Sequence, residues 1–173
     1  MVNNKPLRGM TLPSALLAGP DRFDRILGIG ALILLMAAMT AVARGQADWH
    51  KIGWQVWFHL ATIAVALALT PAVLWRRRGT PQHRQFGYVW VSMLAITALL
   101  TFDIRMINQG NFSVIHLLSV LTLVGLARVV MTARSRDLRS HRQAVRQLAL
   151  GALLIAGFFT FPFDRLLGHW LFS

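Results

Sequence analysis

Four of the chain's six histidines fall in two matching units. His59 is followed by an apolar run, an arginine cluster and His83-Arg84-Gln85. His116 is followed by another apolar run, another arginine cluster and His141-Arg142-Gln143. The spacings are His-x23-His and His-x24-His. Both units begin His-Leu and carry a hydroxyl residue three positions on, Thr62 and Ser119. Imidazole binds metals, serves as an axial ligand to haem iron, and titrates near neutrality. In membrane helices these spacings put one histidine near one face of the bilayer and its successor near the other. Four histidines at two depths are a layout for chemistry across a membrane.

Other chemistries lack their residues. There is no cysteine, which excludes disulfides, thiolate metal sites, iron–sulfur clusters and c-type haem attachment. Any metal or haem iron must be held by histidine or methionine. No Ser-His-Asp set, paired carboxylates, phosphate-binding glycine loop or His-Glu-x-x-His motif is present. All six acidic residues are aspartates, and none lies in the middle of an apolar run.

The elements that must position the histidines are membrane helices. Hydrophobic residues make up 55% of the sequence, and the mean hydropathy is +0.53. Several runs reach the roughly 20 residues needed to span the hydrocarbon core. None alternates with the period of two of a barrel strand, so the expectation is an all-α integral membrane protein. Residues 1–22 read as a cytoplasmic lead-in and 23–45 as a first, uncleaved transmembrane helix. Residues 53–163 read as a four-helix bundle of two tandem helix pairs, and 164–173 as an outer tail. Thr80 and Ser140 are expected N-caps, with Pro81 at the first helical position.

The net charge of +12 does not point to nucleic acid. The basic residues sit in short loops between apolar runs, following the positive-inside rule. Arg76, Arg77, Arg78 and Arg84 fall in one such loop, and Arg134, Arg136, Arg139 and Arg142 in another. The alternation predicts five spans in the bacterial inner membrane, N-terminus cytoplasmic and C-terminus outside. Trp49, Trp54 and Trp57 would mark the outer interface, Trp75 and Trp90 the inner one.

That topology sets the depths. His59 and His116 fall roughly 6–9 Å below the outer boundary at 1.5 Å per residue. His83 and His141 sit in the first turns of helices starting at the cytoplasmic face. The layers are roughly 20–25 Å apart on the same rise. Diagonal helices of a bundle point such ligands at its axis. His59 with His116, and His83 with His141, would each ligate the iron of one b-type haem. Gly125, Gly151 and Gly157, with Ala64, Ala66 and Ala68, would give the porphyrin room. Arg84 and Arg142 would pair with its propionates. The plain alternative is a neutral imidazole hydrogen-bonded between helices, or a polar helix start among arginines.

From about Trp54 to Phe172 the chain resembles an uncharacterised family of bacterial predicted membrane proteins. The resemblance rests on His83-Arg84-x-x-Gly87, Gly110-x-Phe112-Ser113-x-Ile115-His116-Leu117-Leu118-Ser119 and His141-Arg142. It continues through Ile155-Ala156-Gly157-x-Phe159-Thr160-Phe161-Pro162 and Arg165-Leu166-x-Gly168. It implies a multi-helix membrane protein and no particular activity. The arrangement of histidines, rather than the sequence, is similar to the ascorbate-dependent transmembrane cytochromes b. That family pairs four histidines on consecutive helices, first with third and second with fourth, around two haems. It usually has six helices, against five expected here.

The expected function is therefore a di-haem b-type membrane cytochrome, moving electrons across the membrane or to and from quinone. The alternatives are a haem-free accessory or assembly subunit of a respiratory complex, a proton- or metal-handling membrane protein, and a quinone-binding module. Expected partners are the lipid bilayer, quinone or respiratory-complex subunits, and a second copy in a homodimer.

Overall fold

The computed structural model describes residues 19–103, 114–162 and 165–172. Among these the chain is all-helical, with no strand. The elements are α1 (Arg22–Arg44), a 3-10 helix (Gly45–Lys51), α2 (Trp54–Trp75), α3 (Pro81–Asp103) and α4 (Val114–Arg134). Then come α5 (Leu138–Leu148), a π-helical segment (Ala149–Ile155), α6 (Ala156–Phe158) and α7 (Leu166–Phe172). Among the described residues, four helices are long and apolar enough to cross a membrane: Arg22–Lys51, Trp54–Trp75, Pro81–Phe102 and His116–Arg134.

The fifth expected stretch, from α5 through the π segment to α6, is not among those four, although its backbone stays helical throughout. The reason is compositional. The 11 residues of α5 carry Arg139, Arg142 and Arg146, and bury only Ala144, Val145 and Leu148. That is an amphipathic helix, apolar on one side only. The wholly apolar part begins at Ala149, where the backbone widens to π geometry.

Local signals set the helix starts. Thr80 accepts the His83 N–H at 3.2 Å and caps α3, as expected. Asp21 caps α1 by accepting the Asp24 N–H at 2.9 Å. At α5 the cap is Asp137, whose carboxylate accepts the Ser140 N–H at 3.0 Å. Ser140 was the expected cap, and it lies inside the first turn instead. Aspartate three residues earlier offers the stronger, charged acceptor.

Helix α3 packs between α2 and α4, and α4 packs against α5. Helix α1 packs against α2, the π segment and α7. One core draws on α1 to α5 and the π segment: Leu27 and Ala31, Ala66 and Leu74, Trp90 and Leu94, Leu126 and Val129, Leu148 and Leu153; α7 packs in a second cluster through Leu167 and Trp170, with Ala41. A polar seam joins α2 to α3. Thr97 donates to Thr62 at 2.8 Å, and the Trp90 indole donates to Thr70 at 3.0 Å. Hydroxyls that satisfy each other across helices are a common way to tie helices in an apolar medium. Trp90 is 1% exposed, so it is a core residue and not the interfacial anchor its position suggested.

Candidate functional site

The arginine-rich end of the molecule gathers the starts of α1, α3 and α5 with the end of α2. Here His83, in the first turn of α3, meets His141, in the first turn of α5. Their ring centroids are 6.4 Å apart with planes at 81°. The His141 Nδ1 lies 3.1 Å from the Val129 carbonyl oxygen. A carbonyl only accepts, so Nδ1 carries the proton and Nε2 keeps its lone pair. The His83 Nδ1 is buried with no hydrogen-bond partner among the described residues. An orphaned buried nitrogen costs roughly 1–3 kcal/mol unless a ligand satisfies it.

Beside the rings lies a charged cluster that sequence reasoning missed. Asp24, on α1, has 0% side-chain exposure. It accepts from Arg78 at 3.1 Å, from Arg142 at 2.7 Å and from Arg146 Nε at 2.7 Å. Asp21 adds ion pairs to Arg142 at 2.9 Å and to Arg146 at 2.5 Å. The Trp75 indole donates to the Asp24 carbonyl at 3.0 Å. The Arg78 charge also reaches the His83 and His141 rings. One carboxylate thereby ties the first helix to arginines beside both repeat units. The available signal was scarcity. Against 18 basic residues the chain has six acids, so an Asp21-x-x-Asp24 pair at an arginine-rich helix start will draw several guanidiniums.

Asp21 lies at the surface end of this cluster. Partial burial raises its carboxyl, but the Arg146 hydrogen bond, the Asp24 N–H and the charges of Arg146 and Arg142 outweigh that. They hold it at about 2, below the ordinary 3.8.

The expected second layer is built differently. His59, on α2, carries a buried Nδ1 without a partner among the described residues, and the Thr97 backbone of α3 lies against its ring. His116, on α4, is 5% exposed and packs on the Phe102 ring of α3, with centroids 5.8 Å apart. Thr97 and Phe102 are five positions apart, about 140° around α3 at 3.6 residues per turn. Helix α3 thus offers a different face to each histidine. The structure brings His83 and His141 together; it shows no ring contact between His59 and His116 among the described residues.

The flanking residues divide in the same way. Arg84 is exposed beside His83, whereas Arg142 is engaged by Asp21 and Asp24. A side chain at Gly125 would meet Leu148 at 2.8 Å, and one at Gly157 would meet Leu34 at 2.5 Å. Those glycines serve helix packing. Gly151 and Gly87 have open space where a Cβ would stand.

No protein-family model, no curated protein and no solved structure matches this chain. Any assignment of function must therefore stand on the geometry.

Proposed function

We propose that this protein is a b-type membrane cytochrome, carrying electrons across the bilayer or to and from quinone. His83 and His141 would hold the iron of its first haem. The meeting of those two rings carries the reading. Two imidazoles bound to one metal at ~2 Å each stand with centroids roughly 6 Å apart, and 6.4 Å is what the chain provides. Haem b held there supplies one-electron transfer, with a potential set by its ligands and burial.

The chain's own residues prepare the site. The Val129 carbonyl fixes the His141 tautomer and aims Nε2 away from the backbone. Gly87 lies one turn after His83 on nearly the same helix face. Its missing side chain leaves room for a flat macrocycle. Arg84 is free to take a propionate. Arg142 reaches one only by sharing its guanidinium with Asp21 and Asp24.

The proposal extends to a second haem on His59 and His116, and to five spans with the arginine-rich end in the cytoplasm. The repeated spacing supports the second haem, together with the orphaned His59 Nδ1 and the burial of His116. The alternation of arginines between the loops supports the five spans.

The test is a reduced-minus-oxidised visible spectrum with haem quantitation, on protein made with ample haem. A sharp alpha band that His83→Ala abolishes, wholly or by one haem per chain, supports the reading. Two haems per chain, one of them lost in His59→Ala, support the second site. A single haem retained in His59→Ala confines the cofactor to the arginine-rich end. A flat wild-type spectrum overturns the cytochrome.

One observation favours a second reading, a proton- or metal-handling protein. Asp24 supplies the buried carboxylate that the apolar runs lack; it is hydrogen-bonded to Arg78, whose charge acts on the histidine pair. Two imidazoles also suit a divalent transition ion. Elemental analysis of the same preparation separates that reading from haem.

A further inference from the structure

A groove opens on the flank of α1 at the arginine-rich end, lined by Pro20, Arg25, Ile29 and Trp75. Its volume is about 280 Å³, at the lower edge of the roughly 300–1,000 Å³ of sites that enclose whole small molecules. The walls are almost wholly apolar, and the groove lies open along one side. Such a shape suits one extended chain lying along the protein, with its polar end outside.

Arg25 stands at the rim and supplies the charge. Helical rotation separates it from Asp24 by 100°, so Asp24 faces inward while Arg25 is exposed. Among the described side chains no carboxylate is left for it. Asp21 and Asp24 are committed to Arg78, Arg142 and Arg146. Asp137 caps α5, and Asp48 pairs with Lys51 in the 3-10 helix that follows α1. The neighbouring Arg76 is turned toward Gln82 and the Phe86 ring. Arg25 is exposed at the rim and open to an anion from outside the protein.

The wall is fixed as well. Trp75 is held by its bond to the Asp24 carbonyl. Its indole lies on Gly28, where a Cβ would stand 2.6 Å from the ring. An amphipathic indole beside a free arginine is a usual combination at the level of lipid headgroups.

We propose that this groove holds one anionic phospholipid, with an acyl chain along Ile29 and Trp75 and the headgroup phosphate on Arg25. The proposal does not depend on haem, and its failure leaves the cytochrome reading untouched.

Native mass spectrometry tests it on protein taken from vesicles of equal phosphatidylglycerol and phosphatidylcholine. Wild type should retain phosphatidylglycerol in preference. Arg25→Gln should lower that preference about fivefold, the worth of one basic residue near a membrane surface. Arg25→Lys should keep most of it, and Arg77→Gln, outside the groove, should change nothing. Ile29→Trp should fill the groove and lower retention of both lipids. Arg25 and Ile29 are both exposed, so the helices should form in each variant; if Ile29→Trp does not fold, the Arg25 variants decide alone. Equal selectivity in wild type and Arg25→Gln overturns the proposal. So does an equal loss in Arg77→Gln, or no preference in wild type.

Discussion

Each end of the molecule takes one histidine from each repeat unit, and the two ends use them differently. At the arginine-rich end His83 and His141 meet ring to ring, beside a buried aspartate held by three arginines. At the tryptophan-rich end His59 and His116 lie against different faces of α3, and the packing there is aromatic. Trp57 meets Trp49 edge-on at 5.2 Å and stacks on Trp170 at 6.4 Å. The difference comes from elements outside the repeat. Helix α1 brings Asp24 to one end, and α7 lays Trp170 over Gly45 at the other. A repeated spacing sets the depth of a side chain; neighbouring elements decide what it meets.

The comparison is most exposed to failure at Asp24. Replacing Asp24 by Ala removes the one carboxylate that Arg78, Arg142 and Arg146 share, and leaves their charges with half-exposed Asp21 alone. Breaking a buried ion pair in this way costs about 3–5 kcal/mol. Chemical unfolding in detergent should show that loss, and α1 should become more open to proteolysis. A loss below about 1 kcal/mol would mean the arginines are solvated as ordinary surface groups. The contrast between the ends would then collapse.

The next largest effect belongs to the tryptophan-rich end. A side chain at Gly168 would stand 1.6 Å from the Phe161 carbonyl oxygen, and backbone cannot step aside as a flexible side chain can. Gly168→Ala should cost about 1–3 kcal/mol or more. It should move α7 and change the fluorescence of Trp170. Gly87→Ala is the matched control at the other end, with open space at its Cβ position; it should leave stability unchanged or slightly raised. Gly87→Leu should fold equally well and lower haem content, because it fills the space beside His83.

A smaller effect is expected between the ends. Thr97→Val deletes the donor to Thr62 and leaves the shape nearly unchanged. Interhelical hydrogen bonds of this kind are worth about 0.6 kcal/mol on average and about 1.7 at most. A loss of about 1 kcal/mol fits a seam that ties α2 to α3. A greater effect on His59→Ala protein than on wild type would show that the seam also supports the His59 ring.

These features were unequally legible in the sequence. The first four helices follow from apolar length, and the Thr80-Pro81 start of α3 follows from its residue types. The amphipathic start of the fifth stretch is visible only when Arg139, Arg142 and Arg146 are weighed against the apolar residues after them. The approach of His83 to His141 follows from equal depth. No such approach of His59 to His116 is seen among the described residues, and depth alone says nothing of rotation around α3. Asp24 was hidden for a different reason. Its partners lie 54, 118 and 122 positions away, and no local pattern encodes pairing at that distance.

The smallest effect, the pH dependence of Asp21, separates the surface of the charged cluster from its interior. Its carboxyl is held at about 2 in the folded chain against an ordinary 3.8. A lowered folded value means the unfolded chain takes up a proton first as pH falls. The stabilisation is therefore complete above about pH 4 and disappears as pH falls through about 2. Asp21 keeps 47% of its side chain exposed, so solvent screening limits its share to ~0.5 kcal/mol. The difference in unfolding free energy between wild type and Asp21→Asn should be small and constant from pH 7 to pH 5, and should shrink between pH 4 and pH 2. A difference that stays flat across the lower range would mean that Arg142 and Arg146 are satisfied by Asp24 alone. Asp24 would then be the whole of the contrast between the two ends.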